Sequence, residues 1–152
     1  VDGSDVDTLR RALVDKGAVV EVLARLDGSV RTREGGALPV DRAYTTVSSV
    51  LYDAVAVPGG GDAAASLARD GEARHFVLEA YKHCKAIAAV GAATTLLDAP
   101  GLPDALGHPP TVTETTQGVV RAPAADEGLI REFARLIGEH RDWTRPTATV
   151  SA

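Results

Sequence analysis

The single cysteine, Cys84, is the side chain of this sequence with the clearest capacity for covalent chemistry. A cysteine becomes a nucleophile or a redox centre when a neighbouring cation or base favours its thiolate. His83 precedes it directly, but adjacent residues on a helix do not face each other, so the two cannot form a catalytic pair there. We therefore predict that Cys84 is a small, partly buried apolar residue.

The four histidines are the other candidates for chemistry, as ligands of a metal ion. His75 and His83 are separated by about two turns of a predicted helix, whereas His108 and His140 lie far away along the chain. A protein metal site needs three or four ligands that converge at usable spacing. This pattern does not supply them, and the sequence predicts no metal site.

A glycine-rich turn, Pro58 to Asp62 in the sequence PGGGD, follows an apolar run. Such a turn before a helix can hold a phosphate with its backbone N–H groups. This one lacks the lysine and the Ser/Thr of a P-loop, and Asp62 would repel a phosphate. The favoured interpretation is a tight turn at the carboxyl edge of a sheet, where Gly59, Gly60 and Gly91 are the candidate residues for binding a small molecule.

Predicted strands and helices must position these residues. Short apolar, β-branched runs predict strands, and apolar residues at helical spacing predict helices. Ser4 is the expected N-cap of the first helix and Gly17 its C-terminal stop. The predicted strands cover residues 19–23, 53–57 and 86–90, with a hairpin at 29–40 and an extended stretch at 111–120; the predicted helices cover residues 4–16, 62–67, 72–83 and 126–139, with another beginning near 91.

Apolar strands that alternate with helices predict a parallel sheet covered on both faces. The fold class is therefore α/β, with a flavodoxin-like, doubly wound and mostly parallel sheet. Residues 1–140 form one predicted domain. Residues 141–152 show little pattern beyond Trp143 and are expected to be a loose C-terminal tail.

One strand is missing from this order of elements. A doubly wound domain normally begins with a strand in the middle of its sheet, whereas this sequence begins at a helix N-cap. Without that strand, two neighbours would leave unpaired backbone groups in the core, which is costly. Two explanations stay open: the sequence begins late within a longer chain, which we favour, or another chain completes the sheet.

Composition restricts the partners of the protein. The formal net charge is -5, with acids and bases interspersed, so no basic stripe is present for nucleic acid. No apolar run approaches the length of a membrane span, and the acidic N-terminus is unlike a signal peptide. A single cysteine fits a reducing compartment. We expect a cytoplasmic protein that binds neither nucleic acid nor membrane.

Two stretches resemble the DJ-1/PfpI proteins, which share the fold of class I glutamine amidotransferases. The stretch DAVAVPGG at residues 53–60 is similar to their strand and PGG turn, and KAIAAVGAA at residues 85–93 resembles the next strand and nucleophile elbow. The order and separation of the two stretches also match. The resemblance covers most of the chain and implies a flavodoxin-like fold.

Three stretches are similar to the C-terminal domain of large-subunit haem catalases: SVLYDAV at residues 49–55, HFVLEAYKHCK at 75–85 and EHRDW at 139–143. Those enzymes carry an amidotransferase-like domain after the core that degrades peroxide. In that family the domain begins with a strand just before the acidic loop found here at Asp2 and Gly3. This agrees with the strand that is missing from the sequence.

The resemblance places the nucleophile of the elbow at Gly91, which has no side chain. The next position, often a histidine in PfpI-type proteases, is Ala92, and the glutamate partner of DJ-1-like proteins falls near Asp5. One carboxylate without a nucleophile cannot carry out covalent acyl transfer. We therefore predict that no catalytic residue remains and that the elbow and the acid position are vestigial.

The leading hypothesis is a non-catalytic accessory domain of a large-subunit catalase. The resemblance implies no cofactor in this domain, haem in the core of the parent, that core as partner in the same chain, and a homotetramer. It also implies support of assembly and stability, with chaperone-like protection of other proteins. The alternatives are a free-standing DJ-1/PfpI-like stress protein or hydrolase, which needs a reactive thiol, and a sensor domain, which needs a small molecule in the crevice.

Overall fold

A computed structural model describes residues 1–150 of the chain. In chain order the helices and strands are α1 (Gly3–Val14), β1 (Leu23–Ala24), β2 (Gly28–Arg31), β3 (Ala37–Val40), β4 (Arg42–Ala43), β5 (Ala54–Val57), α2 (Gly61–Arg69), α3 (Gly71–Lys82), β6 (Ala86–Val90), β7 (Glu114–Thr116), β8 (Val119–Ala122) and α4 (Glu127–Gly138). Short 3-10 helices span Ser49–Leu51, Gly91–Leu97, Asp104–Gly107 and Thr147–Thr149.

The main sheet has the strand order β5-β6-β8-β7. Strands β5, β6 and β8 run parallel, and β7 pairs antiparallel with β8. Successive residues of a strand point to opposite faces, so Ala88 of β6 packs against α1 and α4, whereas Ile87 packs against α2 and α3. The predicted doubly wound, mostly parallel sheet with helices on both faces is confirmed.

Aspartates begin three of the helices. Asp2, rather than the expected Ser4, is the N-cap of α1: its side chain accepts hydrogen bonds from the backbone N–H groups of Ser4 and Asp5. Asp70 and Asp126 cap α3 and α4 in the same way. Each carboxylate satisfies N–H groups that the first turn of a helix leaves unpaired.

The prediction of a buried strand over residues 19–23 is wrong. Only Leu23 and Ala24 form a strand there, β1, and its partner is β4. Val19 is 94% exposed. A strand becomes buried only when neighbours flank it, and a groove separates this segment from β5. The predicted hairpin at 29–40 is confirmed as the antiparallel pair β2 and β3.

Two tyrosines tie the segment before β5 to the rest of the domain. The Tyr44 hydroxyl donates to Oδ2 of Asp70, and the Tyr52 hydroxyl donates to Oε2 of Glu21, each at 2.7 Å. Burial, and then the hydrogen bond to Glu21, raise the pKa of Tyr52 to about 12. A phenol held in this way stabilises the fold only while it keeps its proton.

The contribution of Tyr52 to stability depends on pH. The pKa of Tyr52 rises from 10.0 to about 12 on folding, so its contribution is complete below pH 10 and is lost as the pH approaches 12. At pH 8 we expect Tyr52→Phe to lower the free energy of unfolding by about 1 kcal/mol. In urea titrations the difference from the parent sequence should shrink above pH 10; a difference that stays constant to pH 12 would contradict this account.

Candidate functional site: a crevice at the carboxyl ends of the strands

The turn after β6 keeps the backbone shape of a nucleophile elbow. Gly91 follows the buried strand with φ of 53°, in the left-handed region that side chains rarely adopt, and a 3-10 helix begins there. Such a sharp strand-to-helix turn lifts a nucleophile out of the sheet in enzymes that have one. A Cβ at Gly91 would find only the carbonyl oxygen of Pro123, at 3.4 Å. The turn therefore has space for a side chain at position 91, although glycine supplies none.

Asp5, the predicted acid position, lies in the first turn of α1 and uses both of its oxygens to hold the backbone. Oδ2 accepts a hydrogen bond from the N–H of Gly59 at 3.0 Å, and Oδ1 accepts one from the N–H of Ala125 at 3.3 Å. The carboxylate thus joins the loops that follow β5 and β8 to the start of α1. In this geometry Asp5 links three segments of the crevice wall.

The glycine turn is packed closely against the N-terminal segment. A Cβ on Gly59 would lie 2.5 Å from Oδ2 of Asp5 and 3.4 Å from Val90. Gly60 has φ of 109°, and its Cβ would lie 3.0 Å from the backbone nitrogen of Asp2. The structure therefore brings Asp5, Gly59 and the elbow together, whereas Gly60 faces the N-terminal segment beside them.

Asp2 fixes the acidic loop at the edge of this crevice. The hydroxyl of Ser4, the backbone N–H of Asp5 and the guanidinium of Arg33 hold the pKa of Asp2 below its ordinary value, against the effect of burial. The Asp2–Arg33 ion pair measures 2.8 Å. Because these contacts favour the ionised carboxylate, the loop should stay ordered at neutral pH.

The elbow region is closed by hydroxyl groups that bond to its own backbone. The hydroxyl of Thr94 donates to the carbonyl of Gly91, and that of Thr95 donates to the carbonyl of Ala92. Thr94 is fully buried and Ala92 packs at the edge of the core. These hydroxyl groups stabilise the turn.

Cys84 lies at the other end of β6 from the elbow and cannot replace the absent nucleophile. Its thiol is buried and lies 3.9 Å from the carbonyl of Lys82. The ring of His83 instead contacts the carbonyl of Glu79, at 2.8 Å. Cys84 is buried as the sequence predicts, and it forms no pair with His83.

Two buried cations, which sequence reasoning missed, lie at the amino ends of the strands. The Lys85 ammonium donates to the carbonyls of Ser49 and Tyr52, at 2.6 and 2.5 Å. The Arg145 guanidinium donates to the carbonyls of Tyr81, Gln117 and Lys85, and stacks 4.4 Å from the centre of the Tyr81 ring. Burial lowers the pKa of both groups.

Arg145 also corrects the expectation of a loose tail. The residue is only 5% exposed, and the backbone N–H of Asp142 donates to the carbonyl of Cys84. Asp142 and Arg145 therefore hold this segment against the end of α3, the residues just before β6 and the turn between β7 and β8, although Trp143 between them is exposed. The sequence gives no periodic signal for this contact, since a single arginine makes most of it.

The described residues contain neither a metal-binding cluster nor a membrane-spanning helix. Between positions 1 and 150, no group of three or more His, Cys, Asp or Glu side chains could hold a metal ion. In the same part of the chain, no helix is long and apolar enough to cross a membrane. In doubly wound sheets, ligands bind at the carboxyl ends of the strands, where Gly91 lies in this domain.

Solved structures of low sequence identity share this fold. The oxidized DJ-1 of Toxoplasma gondii superimposes with a TM-score of 0.70 at 20% identity, covering 89% of this chain and 82% of that chain. A ThiJ/PfpI domain protein from Brachyspira murdochii superimposes with a TM-score of 0.73 at 14% identity, covering 90% and 88%. These similarities confirm the predicted flavodoxin-like fold and say nothing about activity.

Sequence relatives are more specific. The chain is 43% identical over 158 residues to Catalase HPII of Mycobacterium avium, which covers 99% of the chain and 22% of that relative. It is 35% identical over 146 residues to Catalase HPII of Pseudomonas aeruginosa, covering 96% of the chain and 19% of that relative. The chain spans about a fifth of the length of these curated relatives. A family model of the C-terminal domain found in long catalases matches residues 1–147, and the chain belongs to that family.

Proposed function

We propose that the chain is a non-catalytic accessory domain of a long catalase, whose core dismutes hydrogen peroxide. The observation that carries this proposal is the elbow at Gly91, which has the backbone and the space of a nucleophile site but no side chain. The engagement of both Asp5 oxygens by backbone N–H groups supports it. A carboxylate used in this way holds loops together and is not free to move a proton to a substrate.

The role proposed for the domain is assembly and stability of the parent. Its partner is the catalase core of the same chain, where the haem would be held, within a homotetramer. The exposed apolar side chains of Leu51 and Trp143 offer surface for contact with the core or a neighbouring subunit. Chaperone-like protection of other proteins would use the same surface. The net charge of -5 argues against nucleic acid, and the single cysteine suits the cytoplasm.

Removal of residues 1–152 from the parent catalase tests this role. The intact and shortened proteins would be compared by native mass spectrometry over a range of protein concentrations. We expect tetramers of the shortened protein to dissociate at a protein concentration at least tenfold higher than tetramers of the intact protein do. A tenfold difference corresponds to about 1.4 kcal/mol of lost association free energy. Identical dissociation curves would refute a role in assembly.

A cysteine at the elbow should create reactivity without catalysis. In a Cys84→Ala background, we expect Gly91→Cys to give a thiol that reacts with a disulfide reagent at least tenfold faster than Cys84 does in the parent sequence, because position 91 lies at an open turn and Cys84 is buried. We expect no turnover from this thiol, because both oxygens of Asp5, the acid of the crevice, accept hydrogen bonds from backbone N–H groups.

The left-handed backbone at position 91 makes this variant less stable by about 1–3 kcal/mol. Ester and amide hydrolysis should stay at the level of the Cys84→Ala control. Multiple turnovers by the Gly91→Cys variant, or by the unmodified chain, would show that a working site survives and would count against the proposed function.

A further inference from the structure

Three aspartates of this chain, Asp2, Asp27 and Asp70, are each followed directly by a glycine. At such a pair the backbone nitrogen of the glycine can attack the aspartate side chain, because glycine has no Cβ to block the approach. A five-membered succinimide ring forms, and the N–H proton leaves with the hydroxyl of the protonated carboxyl group as water. Water then opens the ring at either carbonyl, which gives aspartate again or isoaspartate.

Two of the three aspartates are held in place as helix caps. Oδ1 of Asp2 accepts hydrogen bonds from the N–H and the hydroxyl of Ser4, and Oδ2 pairs with Arg33. Oδ2 of Asp70 accepts a hydrogen bond from the hydroxyl of Tyr44 at 2.7 Å. The Ser4 and Tyr44 hydroxyls are the main causes that lower the pKa of these two carboxyl groups. The protonated form that closes the ring is therefore rarer at both positions.

The glycines that follow these two caps are restrained as well. Gly3 and Gly71 are the first residues of α1 and α3. The N–H of Gly3 also donates to Oε2 of Glu34 at 3.2 Å. Because each nitrogen is fixed in the first turn of a helix, its attack on the preceding side chain would require that turn to open.

Asp27 lacks these restraints. It is exposed in the bend between β1 and β2, and its carboxylate forms no hydrogen bond or ion pair with any other residue between positions 1 and 150. Gly28 has φ of 109°, and a Cβ there would find no atom within 4 Å. The preceding side chain, Leu26, is 73% exposed. The bend is therefore open to water and has room for the ring.

From this contrast we infer that Asp27 is the site at which the folded domain forms isoaspartate. The reaction needs only water, and it proceeds at Asp27 because the side chain and the next nitrogen are both free to meet. Asp2 and Asp70 have the same sequence signal and are protected by their caps. The inference does not depend on the proposed function.

Isoaspartate at position 27 would disturb the hairpin of β2 and β3. It adds one methylene to the main chain directly before β2, whose first residue pairs with Val40 of β3. The turn of the same hairpin holds the acidic loop, since Arg33 pairs with Asp2 and its N–H donates to the carbonyl of Val1. Modification of Asp27 would therefore loosen a contact at the edge of the crevice as the protein ages.

Uptake of heavy oxygen tests the inference, because the water that opens the ring leaves its oxygen in the product. The 152-residue chain would be kept at neutral pH in ¹⁸O-labelled water, moved to ordinary water and digested with trypsin. Peptides 1–10, 26–31 and 70–74 each contain one of the three pairs. In the folded chain we expect peptide 26–31 to gain label at least about tenfold faster than the other two, which must first open a helix.

The same experiment in urea removes the caps. There we expect the three peptides to gain label at rates within about threefold of one another, since an unfolded chain has no fixed helix starts. Equal rates for the three peptides in the folded chain would overturn the inference. A faster gain at peptide 1–10 or 70–74 would overturn it as well.

Asp27→Glu is the matched control variant. It keeps the charge in an exposed position, but a glutamate would have to close a six-membered ring, which forms far more slowly. After ageing, both proteins would be treated with an isoaspartyl methyltransferase and a radioactive methyl donor. The sequence contains no asparagine, so any isoaspartate comes from aspartate. We expect the parent sequence to accept at least about tenfold more methyl groups than Asp27→Glu; equal acceptance would place the isoaspartate elsewhere and overturn the inference.

Discussion

Replacement of Arg145 by alanine is expected to lower the free energy of unfolding by about 3–5 kcal/mol, the largest effect of any substitution considered. The guanidinium donates to the buried carbonyls of Tyr81 and Lys85 and to the partly buried carbonyl of Gln117. Alanine would leave those carbonyls without donors and would remove the stacking contact with Tyr81. The loss should exceed the desolvation relieved by removing the cation, because three acceptors are stranded at once.

Two further variants make this expectation specific. Arg145→Lys keeps the charge but cannot reach three carbonyls from one compact ammonium, so its loss should be intermediate. Arg131→Ala, on the exposed side of α4, is the matched control and should change stability by less than about 0.5 kcal/mol. Urea titrations followed by circular dichroism would give all three values. Equal urea midpoints for Arg145→Ala and Arg131→Ala would mean that the hydrogen bonds of Arg145 to these carbonyls do not stabilise the domain.

The second large effect is expected for Gly59→Ala, which should lower the free energy of unfolding by about 2–4 kcal/mol. The added Cβ would lie 2.5 Å from Oδ2 of Asp5, closer than real contacts allow. Either Asp5 moves and loses its bonds to Gly59 and Ala125, or the turn shifts away from Val90. Either response would break contacts between the three segments that Asp5 joins, which are the start of α1 and the loops after β5 and β8.

Gly61→Ala is the matched control for this change, two positions further along the same turn. No atom lies within 4 Å of a Cβ there, and Gly61 begins α2 with ordinary backbone angles. Alanine is a better helix former than glycine, so the control should be neutral or up to about 1 kcal/mol more stable. The thermal unfolding of the two variants would be compared. If Gly59→Ala is as stable as Gly61→Ala, Asp5 does not hold the turn.

Local signals were enough to predict the parts of the site that lie within one strand and its turn. The apolar run before Pro58 and the run before Gly91 each form a parallel strand that ends at the crevice. The absence of a side chain at the elbow also depends on one position, because residue 91 is a glycine in any fold. These features depend on residues that are neighbours in the sequence, so they can be predicted from it.

The features that the sequence did not reveal depend on distant partners. Asp5 accepts a hydrogen bond from the N–H of Ala125, 120 residues away, and nothing in the sequence around Asp5 indicates that contact. Arg145 lies in a segment without periodicity and is fixed by carbonyls of α3, of Lys85 just before β6, and of a turn. Val19 belongs to an apolar run that predicts a strand, yet a strand forms only where a neighbour pairs with it. In all three cases, contacts with residues far away in the sequence determine the structure.

The proposed accessory role can be tested by the rate of heat inactivation of the parent catalase, with and without residues 1–152. Peroxide dismutation per haem would be followed after incubation at a series of temperatures. If the domain supports assembly and performs no chemistry, as we propose, we expect equal initial rates per haem and an inactivation at least tenfold faster for the shortened enzyme. An equal rate of inactivation, or a lower initial rate per haem at full tetramer content, would contradict it.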